Sequence, residues 1–391
     1  MLKDYIDLNY EPKNDLICEY YLEPSKNIDF ESAANHVAGE SSIDTWSDIL
    51  TLSPKLAKKL KPHVFFINKK DKTIKIAYHR ELFEINSVPQ ILSSVAGNIF
   101  SMKIISNLRL QDILFPKKIV KQFKGPMFGI KGIRKLLGVY RRPLIGTIVK
   151  PKVGLTTEKH AKVAYESWVG GCDLVKDDEN LANQKFNPFE KRVIKTLKMR
   201  DKAEKETGER KIYMPNITAP TCDEMVKRAK FIKNHNGEYV MIDIIPVGWA
   251  ALQTLREANN DLKLVLHAHR CMHSAFTRNP KHGISMLVIA KLTRLIGLDQ
   301  LHIGTVVGKM HGGKGEVEGL DKALKEKWEH IKPTFPAASG GLEASNIPDL
   351  IKIFGKDIIL QFGGGIHAHP DGTRAGAKEV RVILDEIMKG N

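Results

Sequence analysis

Cysteine is scarce in this 391-residue chain: Cys18, Cys172, Cys222 and Cys271 are far apart, and none belongs to a Cys-x-x-Cys pair. That spacing excludes a disulfide framework and a zinc knuckle, and leaves small buried thiols in a reducing compartment as the expectation. No run of 18 or more apolar residues occurs, so a membrane-spanning helix is excluded. The first residues, Met1-Leu-Lys-Asp-Tyr-Ile-Asp7, lack the basic-then-apolar order of a signal peptide, and a cytoplasmic protein is expected. Nucleotide-binding signatures are missing too. No Gly-x-Gly-x-x-Gly opens a helix, and the nearest approach to a phosphate-binding loop, Gly304-Thr-Val-Val-Gly308-Lys309-Met310, has the wrong spacing and a methionine where Mg²⁺ needs a hydroxyl.

What is present is an ordinary globular composition, 42% hydrophobic and 27% charged, in a chain long enough to bury a large core without staples. The balance of 61 basic against 45 acidic side chains leaves a net charge of +16. Such a charge attracts anions: nucleic acid, acidic membrane or a phosphorylated substrate. The densest lysine run, 55–75, is interrupted by Val64-Phe65-Phe66-Ile67 and lacks the arginines and interleaved aromatics of a nucleic-acid module. It reads as a solvated face, so neither nucleic acid nor membrane is expected as a partner.

From about residue 140 a short β-branched run alternates with a longer amphipathic one. The strand-like runs are 144–149, 172–176, 212–217, 239–245, 262–268, 300–304, 335–338 and 358–362. The helical patterns are 158–169, 187–207, 222–234, 249–259, 282–297, 317–330, 345–354 and 374–389. Eight βα units in about 250 residues have the count and size of a closed (β/α)8 barrel. Residues 1–130 lack this rhythm. They mix strand-like runs at 17–22, 63–67 and 73–78 with helical ones at 28–38 and 88–97, which predicts a separate α+β domain with an antiparallel sheet. The chain is therefore expected to be an α/β protein, with the barrel in 131–391.

In such a barrel, chemistry gathers where strands end. The first strand ends in Lys150-Pro151-Lys152 and the second in Lys176-Asp177-Asp178-Glu179. The fifth ends in His267-Ala268-His269-Arg270, and the sixth delivers His302 and a loop bearing Lys309. Ser339-Gly340-Gly341 closes the seventh, and Gly363-Gly364-Gly365 the eighth. Lys176 and Asp178, two apart, share a strand face, and two carboxylates make a hard oxygen site suited to Mg²⁺. A lysine fits there only if its charge is removed, as when CO₂ adds to it to form a carbamate. On spacing alone, a surface Lys-Asp-Asp-Glu turn explains the run more simply. Glycine turns in two consecutive units favour a phosphate site over plain turn punctuation. His267 with His269, and His367 with His369, lack a third ligand for zinc. His269 beside Arg270 reads better as a general base next to an anion clamp.

Taken together these residues resemble the large chains of ribulose-1,5-bisphosphate carboxylase/oxygenase (RuBisCO), over nearly the whole length. The motifs are Gly146-Thr-Ile-Val-Lys-Pro-Lys-Val-Gly154, Gly170-Gly-Cys-Asp-Leu-Val-Lys-Asp-Asp-Glu-Asn180, His267-Ala-His-Arg-Cys-Met-His273 and His302-Ile-Gly-Thr-Val-Val-Gly-Lys309. The ending Gly363-Gly-Gly-Ile-His-Ala-His-Pro-Asp-Gly-Thr373 is similar to the archaeal form III branch.

The resemblance implies a Mg²⁺-dependent enzyme that adds CO₂, with O₂ competing, to the enediolate of ribulose 1,5-bisphosphate. Lys176 matches the lysine carbamylated by an activator CO₂, with Asp178 and Glu179 as its metal partners. Lys150 matches the enolising base with Lys152 beside it, His269 a later proton acceptor, and Lys309 the mobile-loop lysine that holds the incoming CO₂. Arg270, His302, Ser339, Gly340, Gly341, Gly363 and Gly364 match substrate and phosphate contacts. Glu40, Thr45, Trp46 and Asn98 match positions contributed by a neighbouring subunit, which implies at least a homodimer, without a small subunit. The chain departs from the family pattern at Ile148 and Asp44, and only 29 residues separate Lys309 from Ser339. A RuBisCO-like isomerase that enolises a related sugar phosphate without fixing CO₂ is the competing reading; retention of Lys150 and Lys309 favours the carboxylase.

Overall fold

The computed structural model describes residues 4–44, 51–307 and 313–390. Its strands, in chain order, begin with β1 (Leu16–Pro24), β2 (His63–Asn68), β3 (Thr73–Tyr78) and β4 (Ile105–Leu114). They continue with β5 (Leu144–Ile148), β6 (Leu174–Lys176), β7 (Ile212–Met214), β8 (Tyr239–Asp243) and β9 (Val265–His269). The last are β10 (Gly283–Ile284), β11 (Gln300–Gly304), β12 (Phe335–Ser339) and β13 (Ile359–Phe362). The chain divides into two compact units, one of residues 1–124 with 272–295 and one of 125–271 with 296–391.

The first unit is built on a five-stranded sheet in the order β10-β4-β1-β3-β2, antiparallel except where β10 meets β4. On β1 the residues alternate in burial, so Leu16, Cys18, Tyr20 and Leu22 fill one face. The helix Phe30–Glu40 starts where the Asp29 carboxylate accepts from the Ser32 N–H at 3.0 Å, and buries Ala33, Ala34 and Val37. Residues 272–295, expected within the barrel domain, group here because Gly283 and Ile284 pair with Arg109 and Leu110. Such a two-residue strand has no period of its own in the sequence.

The second unit is the (β/α)8 barrel. Its eight strands run parallel in the order β7-β6-β5-β13-β12-β11-β9-β8. The run expected at 212–217 stops as a strand at Met214, because Pro215 has no N–H to give the ladder. Pairing resumes at once: Met241 N donates to Pro215 O at 2.9 Å and Ile217 N to Met241 O at 3.0 Å, which closes the ring between β7 and β8.

Seven strands open on an apolar residue that packs into one buried cluster: Leu144, Leu174, Ile212, Tyr239, Val265, Phe335 and Ile359. The helix Gly129–Leu137 supplies Ile130, Ile133 and Leu137 to the same cluster and ends on Gly138, which adopts φ 72° where a Cβ would be strained. This apolar floor fixes which face of each strand looks inward. Two and four residues further on, the same face delivers polar side chains to the opposite mouth.

Cys18 and Cys172 are buried as expected, whereas Cys222 and Cys271 are only half-buried. Cys222 opens the helix Cys222–Asn234 and Cys271 lies two residues past β9, so both sit at element ends rather than in the core.

Candidate active site

Lys176 is the last residue of β6 and is 1% exposed. Its Nζ donates to the Asp177 carbonyl at 2.9 Å and lies 3.3 Å from Met241 Sδ. Burial pulls its pKa below the usual lysine value, against the opposing pull of Asp178, Glu179 and Asp243. The neutral amine is thus favoured at this position more than in water.

The two carboxylates that follow each meet a lysine from the end of β5. Lys150 Nζ is 2.5 Å from Asp178 Oδ2, and Lys152 Nζ is 2.6 Å from Glu179 Oε1. This pairing follows from topology, because Ile148 is in register with Lys176 and both chains leave their strands side by side. Burial opposes ionisation of Asp178, but Glu179 and the charges of Lys176 and Lys150 hold its carboxyl well below the ordinary range. The donor set is hard: carboxylate oxygens around an amine that becomes a further oxygen donor once carbamylated. It fits Mg²⁺, with Lys176, Asp178 and Glu179 as the residues to hold it.

Beneath this cluster lies a network that the sequence did not announce. Asp177, wholly buried, accepts from Tyr213 Oη at 2.6 Å, Arg192 Nε at 3.1 Å and Asn216 N at 3.0 Å, with His160 Nε2 at 3.1 Å. Burial works against its charge, yet Arg192 and His160 take the carboxyl down to about 2. The residue between Lys176 and Asp178 is therefore clamped, which aims both neighbours.

Across the mouth, His269 ends β9 in register with Asp243, the last residue of β8. The His269 Nδ1 lies 3.1 Å from Asp243 Oδ1, while Asp243 Oδ2 accepts from Asn216 Nδ2 at 3.1 Å and Thr218 Oγ1 at 3.0 Å. With Nδ1–H donating to that carboxylate, Nε2 carries the lone pair, 4.0 Å from Glu179 Oε2. Burial, then the charge of Lys176, lowers the His269 pKa below the ordinary histidine value, against the opposing pull of Asp243. His302 is buried and pairs through Nδ1 with Ser339 Oγ at 2.7 Å, and Nε2 has no hydrogen-bond partner among the described residues. His267 is a core histidine: its Nδ1 meets Gln300 Oε1 at 2.7 Å.

Arg270 follows His269, and burial brings its pKa down to about 10, with Glu316 partly offsetting. A Cβ on Gly304, whose φ is 88°, would lie 2.5 Å from the Arg270 guanidinium, so glycine at the end of β11 makes room for it. Gly340 and Gly341 adopt φ 113° and 70° at the end of β12. Gly363 follows β13, the neighbour of β12 in the ring, and a Cβ there would lie 3.8 Å from Lys150 Cε. His367 ties these turns to β5: Nε2 meets the Ile148 carbonyl at 2.8 Å and Nδ1 the Thr373 hydroxyl at 3.1 Å. His367 is thereby engaged in structural hydrogen bonds.

Lys150, Lys152, Lys176, Asp178, Glu179, His269, Arg270, His302, Ser339 and the paired glycines thus stand at one mouth of the barrel. Glu40 and Asn98 belong to the other unit, where both line a cavity of about 520 Å³ with Ser101, Met102 and Lys103. Thr45, Trp46 and Lys309 lie outside the described residues. Asp243 also stands at a strand end, but as the one charged residue of its run it carries no pattern that marks it in the sequence. Asp177 lies between Lys176 and Asp178, and its partners come from elements that local sequence does not link to it.

Residues 129–391 match the family model described as ribulose bisphosphate carboxylase large chain, catalytic domain, and residues 4–119 match that of its N-terminal domain. A Methanosarcina mazei protein named ribulose bisphosphate carboxylase is 63% identical, over 100% of this chain and 95% of its own length. One of the same name from Methanocaldococcus jannaschii is 52% identical, over 99% and 95%. Among solved structures, octameric RuBisCO from Pyrococcus horikoshii in complex with sulfate superposes with a TM-score of 0.96 at 51% identity, covering 100% of this chain and 92% of that one. Dimeric archaeal RuBisCO from Hyperthermus butylicus gives 0.93 at 42% identity, covering 100% and 94%.

Proposed function

The chain belongs to the ribulose bisphosphate carboxylase large-chain family and is a carboxylase, and from that premise we propose how its own side chains carry the reaction. The observation that bears most weight is the buried Lys176 amine ringed by Asp178 and Glu179, with Lys150 and Lys152 on those same carboxylates. A neutral, desolvated amine is the nucleophilic form. Its lone pair attacks an activator CO₂, an N–C bond forms, one N–H proton leaves to solvent, and a carbamate anion replaces the amine. Lys176 so modified, Asp178 and Glu179 would hold Mg²⁺, and the ion would supply Lewis-acid polarisation of the substrate ketone.

Lys150 is the base that enolises ribulose 1,5-bisphosphate, and Lys152 keeps positive charge next to it. Arg270 and the turns at Gly340, Gly341, Gly363 and Gly364 take the phosphates, in a protein whose charge of +16 favours a polyanionic substrate. His302 and Ser339 orient the sugar. Asp243 holds the His269 Nδ1 proton and so presents Nε2 as the acceptor for the later proton transfers. Lys309 stabilises the carboxylate formed from the substrate CO₂, and O₂ competes for the same enediolate. Two 3-phosphoglycerates result. Glu40, Thr45, Trp46 and Asn98 complete the site of a neighbouring copy in a homodimer or an assembly of dimers. The relatives of known structure include a dimer and an octamer. The enzyme works in the cytoplasm; among the described residues no helix is long and apolar enough to cross a membrane.

The test is fixation of labelled CO₂ into acid-stable 3-phosphoglycerate by protein preincubated anaerobically with CO₂ and Mg²⁺. Label is expected with the wild type and none with Lys176→Ala, while both bind the bisphosphate. Absence of label from a wild type that binds the bisphosphate would overturn the assignment.

A further inference from the structure

The mouth of the barrel carries a second set of donors, softer than the carboxylate pair. Asp243, His269 and Cys271 bring one oxygen, one nitrogen and one sulfur to within 4.8 Å of one another. Strand register creates the group: Asp243 and His269 end β8 and β9 opposite each other, and Cys271 follows two residues on. Two of the three are already held in place. Asn216 and Thr218 fix one Asp243 oxygen, leaving the other 3.1 Å from His269 Nδ1, and the Cys271 thiol faces the same carboxylate. Asp243 is buried while Cys271 is half-buried, so the cluster opens toward solvent on its sulfur side.

We propose that Asp243 Oδ1, His269 Nδ1 and Cys271 Sγ form an inhibitory site for a thiophilic divalent cation such as Zn²⁺ or Co²⁺, separate from the oxygen site of Lys176, Asp178 and Glu179. A tetrahedral ion with bonds of about 2.0–2.3 Å holds its ligands roughly 3.3–3.7 Å apart, so three protein donors and one water close on it with a shift of about 1 Å. Mg²⁺ does not compete here, since it prefers an all-oxygen octahedron and discriminates against thiolate.

The proton balance explains the inhibition, and this part rests on the role given above to His269. The thiol proton leaves to solvent as the Cys271 sulfur–metal bond forms. The Nδ1 proton of His269, until then donated to Asp243, gives way to the metal, and the imidazole keeps its hydrogen on Nε2 instead. The nitrogen that serves as proton acceptor becomes a donor.

The test uses the full chain with Mg²⁺ in excess to fill the oxygen site, and Co²⁺ as the probe. The wild type is expected to bind one Co²⁺ with a thiolate-to-cobalt charge-transfer band and tetrahedral visible absorption. Cys271→Ser loses the band and binds Zn²⁺ at least about tenfold more weakly, while Cys222→Ser keeps both. Zn²⁺ inhibits labelled CO₂ fixation by the wild type with the midpoint of its binding curve, and Cys271→Ser, which retains carboxylation, resists. A wild type without the thiolate band, or a Cys271→Ser variant with unchanged Zn²⁺ affinity, overturns the site. Binding with the band but no inhibition overturns the tautomer argument alone. Absence of carboxylation in wild type supplied with Mg²⁺ and CO₂ but no Zn²⁺ or Co²⁺ bears on the enzymatic reading and leaves the binding result intact.

Discussion

Replacing Asp177 by asparagine removes one negative charge and almost no volume from a place where three donors and the His160 imidazole converge. Asp177 and Arg192 are each 0% exposed, so the change leaves a guanidinium in the interior without its counter-ion. Breaking a buried pair from one side costs about 3–5 kcal/mol, because the surviving charge keeps its desolvation penalty. Arg192 retains two carbonyl acceptors, Asn187 O at 2.7 Å and Ala182 O at 2.6 Å, which places the expected loss near the lower end, about 3 kcal/mol. The loss registers as a lower urea midpoint with an unchanged slope. Removing the other charge as well, in Asp177→Asn with Arg192→Met, takes the unpaired cation out of the interior. The double variant is therefore expected to be more stable than the sum of the two single changes allows, by about 1–3 kcal/mol. Since Asp177 lies between Lys176 and Asp178, carboxylation falls in the single variant beyond what its folded fraction accounts for. An Asp177→Asn protein within about 1 kcal/mol of wild type, or strict additivity with Arg192→Met, would refute the claim that this pair anchors the site.

Two other outcomes follow from the geometry. Burial first, and then the charge of Lys150, pushes the His367 pKa from 6.5 down to about 4, so the folded protein holds the ring neutral where the unfolded chain takes up a proton. Its contribution is complete above about pH 6.5 and is lost as pH falls toward 4, at most about 3 kcal/mol. The wild-type urea midpoint should drop across that window more steeply than that of His367→Gln, and parallel curves would remove His367 from the account. Gly304→Ala places a methyl group against the Arg270 guanidinium on a backbone at φ 88°. Loss of one charge-assisted contact to a phosphate, about 1.5–3 kcal/mol, lowers kcat/KM for the bisphosphate roughly 10- to 100-fold. An unchanged kcat/KM would mean that Arg270 does not reach the substrate.

The alternation of β-branched and amphipathic runs after residue 140 was enough to specify a barrel, since a strand buried on both faces and a helix buried on one leave different periods in the sequence. Lys150, Lys176, Asp178, His269 and Ser339 were legible for a related reason: in a barrel, the ends of strands are the only places where polar side chains converge, and a strand end can be located from its own residues. Local pattern carries no information about partners far along the chain. Pairing of Gly283 with Arg109, across more than 170 positions, came from the tertiary fold alone. So did the convergence of His160, Arg192 and Tyr213 on Asp177, because each side chain belongs to a different element and a buried arginine or tyrosine looks like any other in sequence. Asp243 and Cys271 acquire meaning only through the register of β8 against β9, which brings a carboxylate, an imidazole and a thiol within 4.8 Å of one another. The sequence by itself determined the fold and the residues that line the mouth. Only closure of the ring decided which of them touch, because contact is set by the pairing of strands and not by their order.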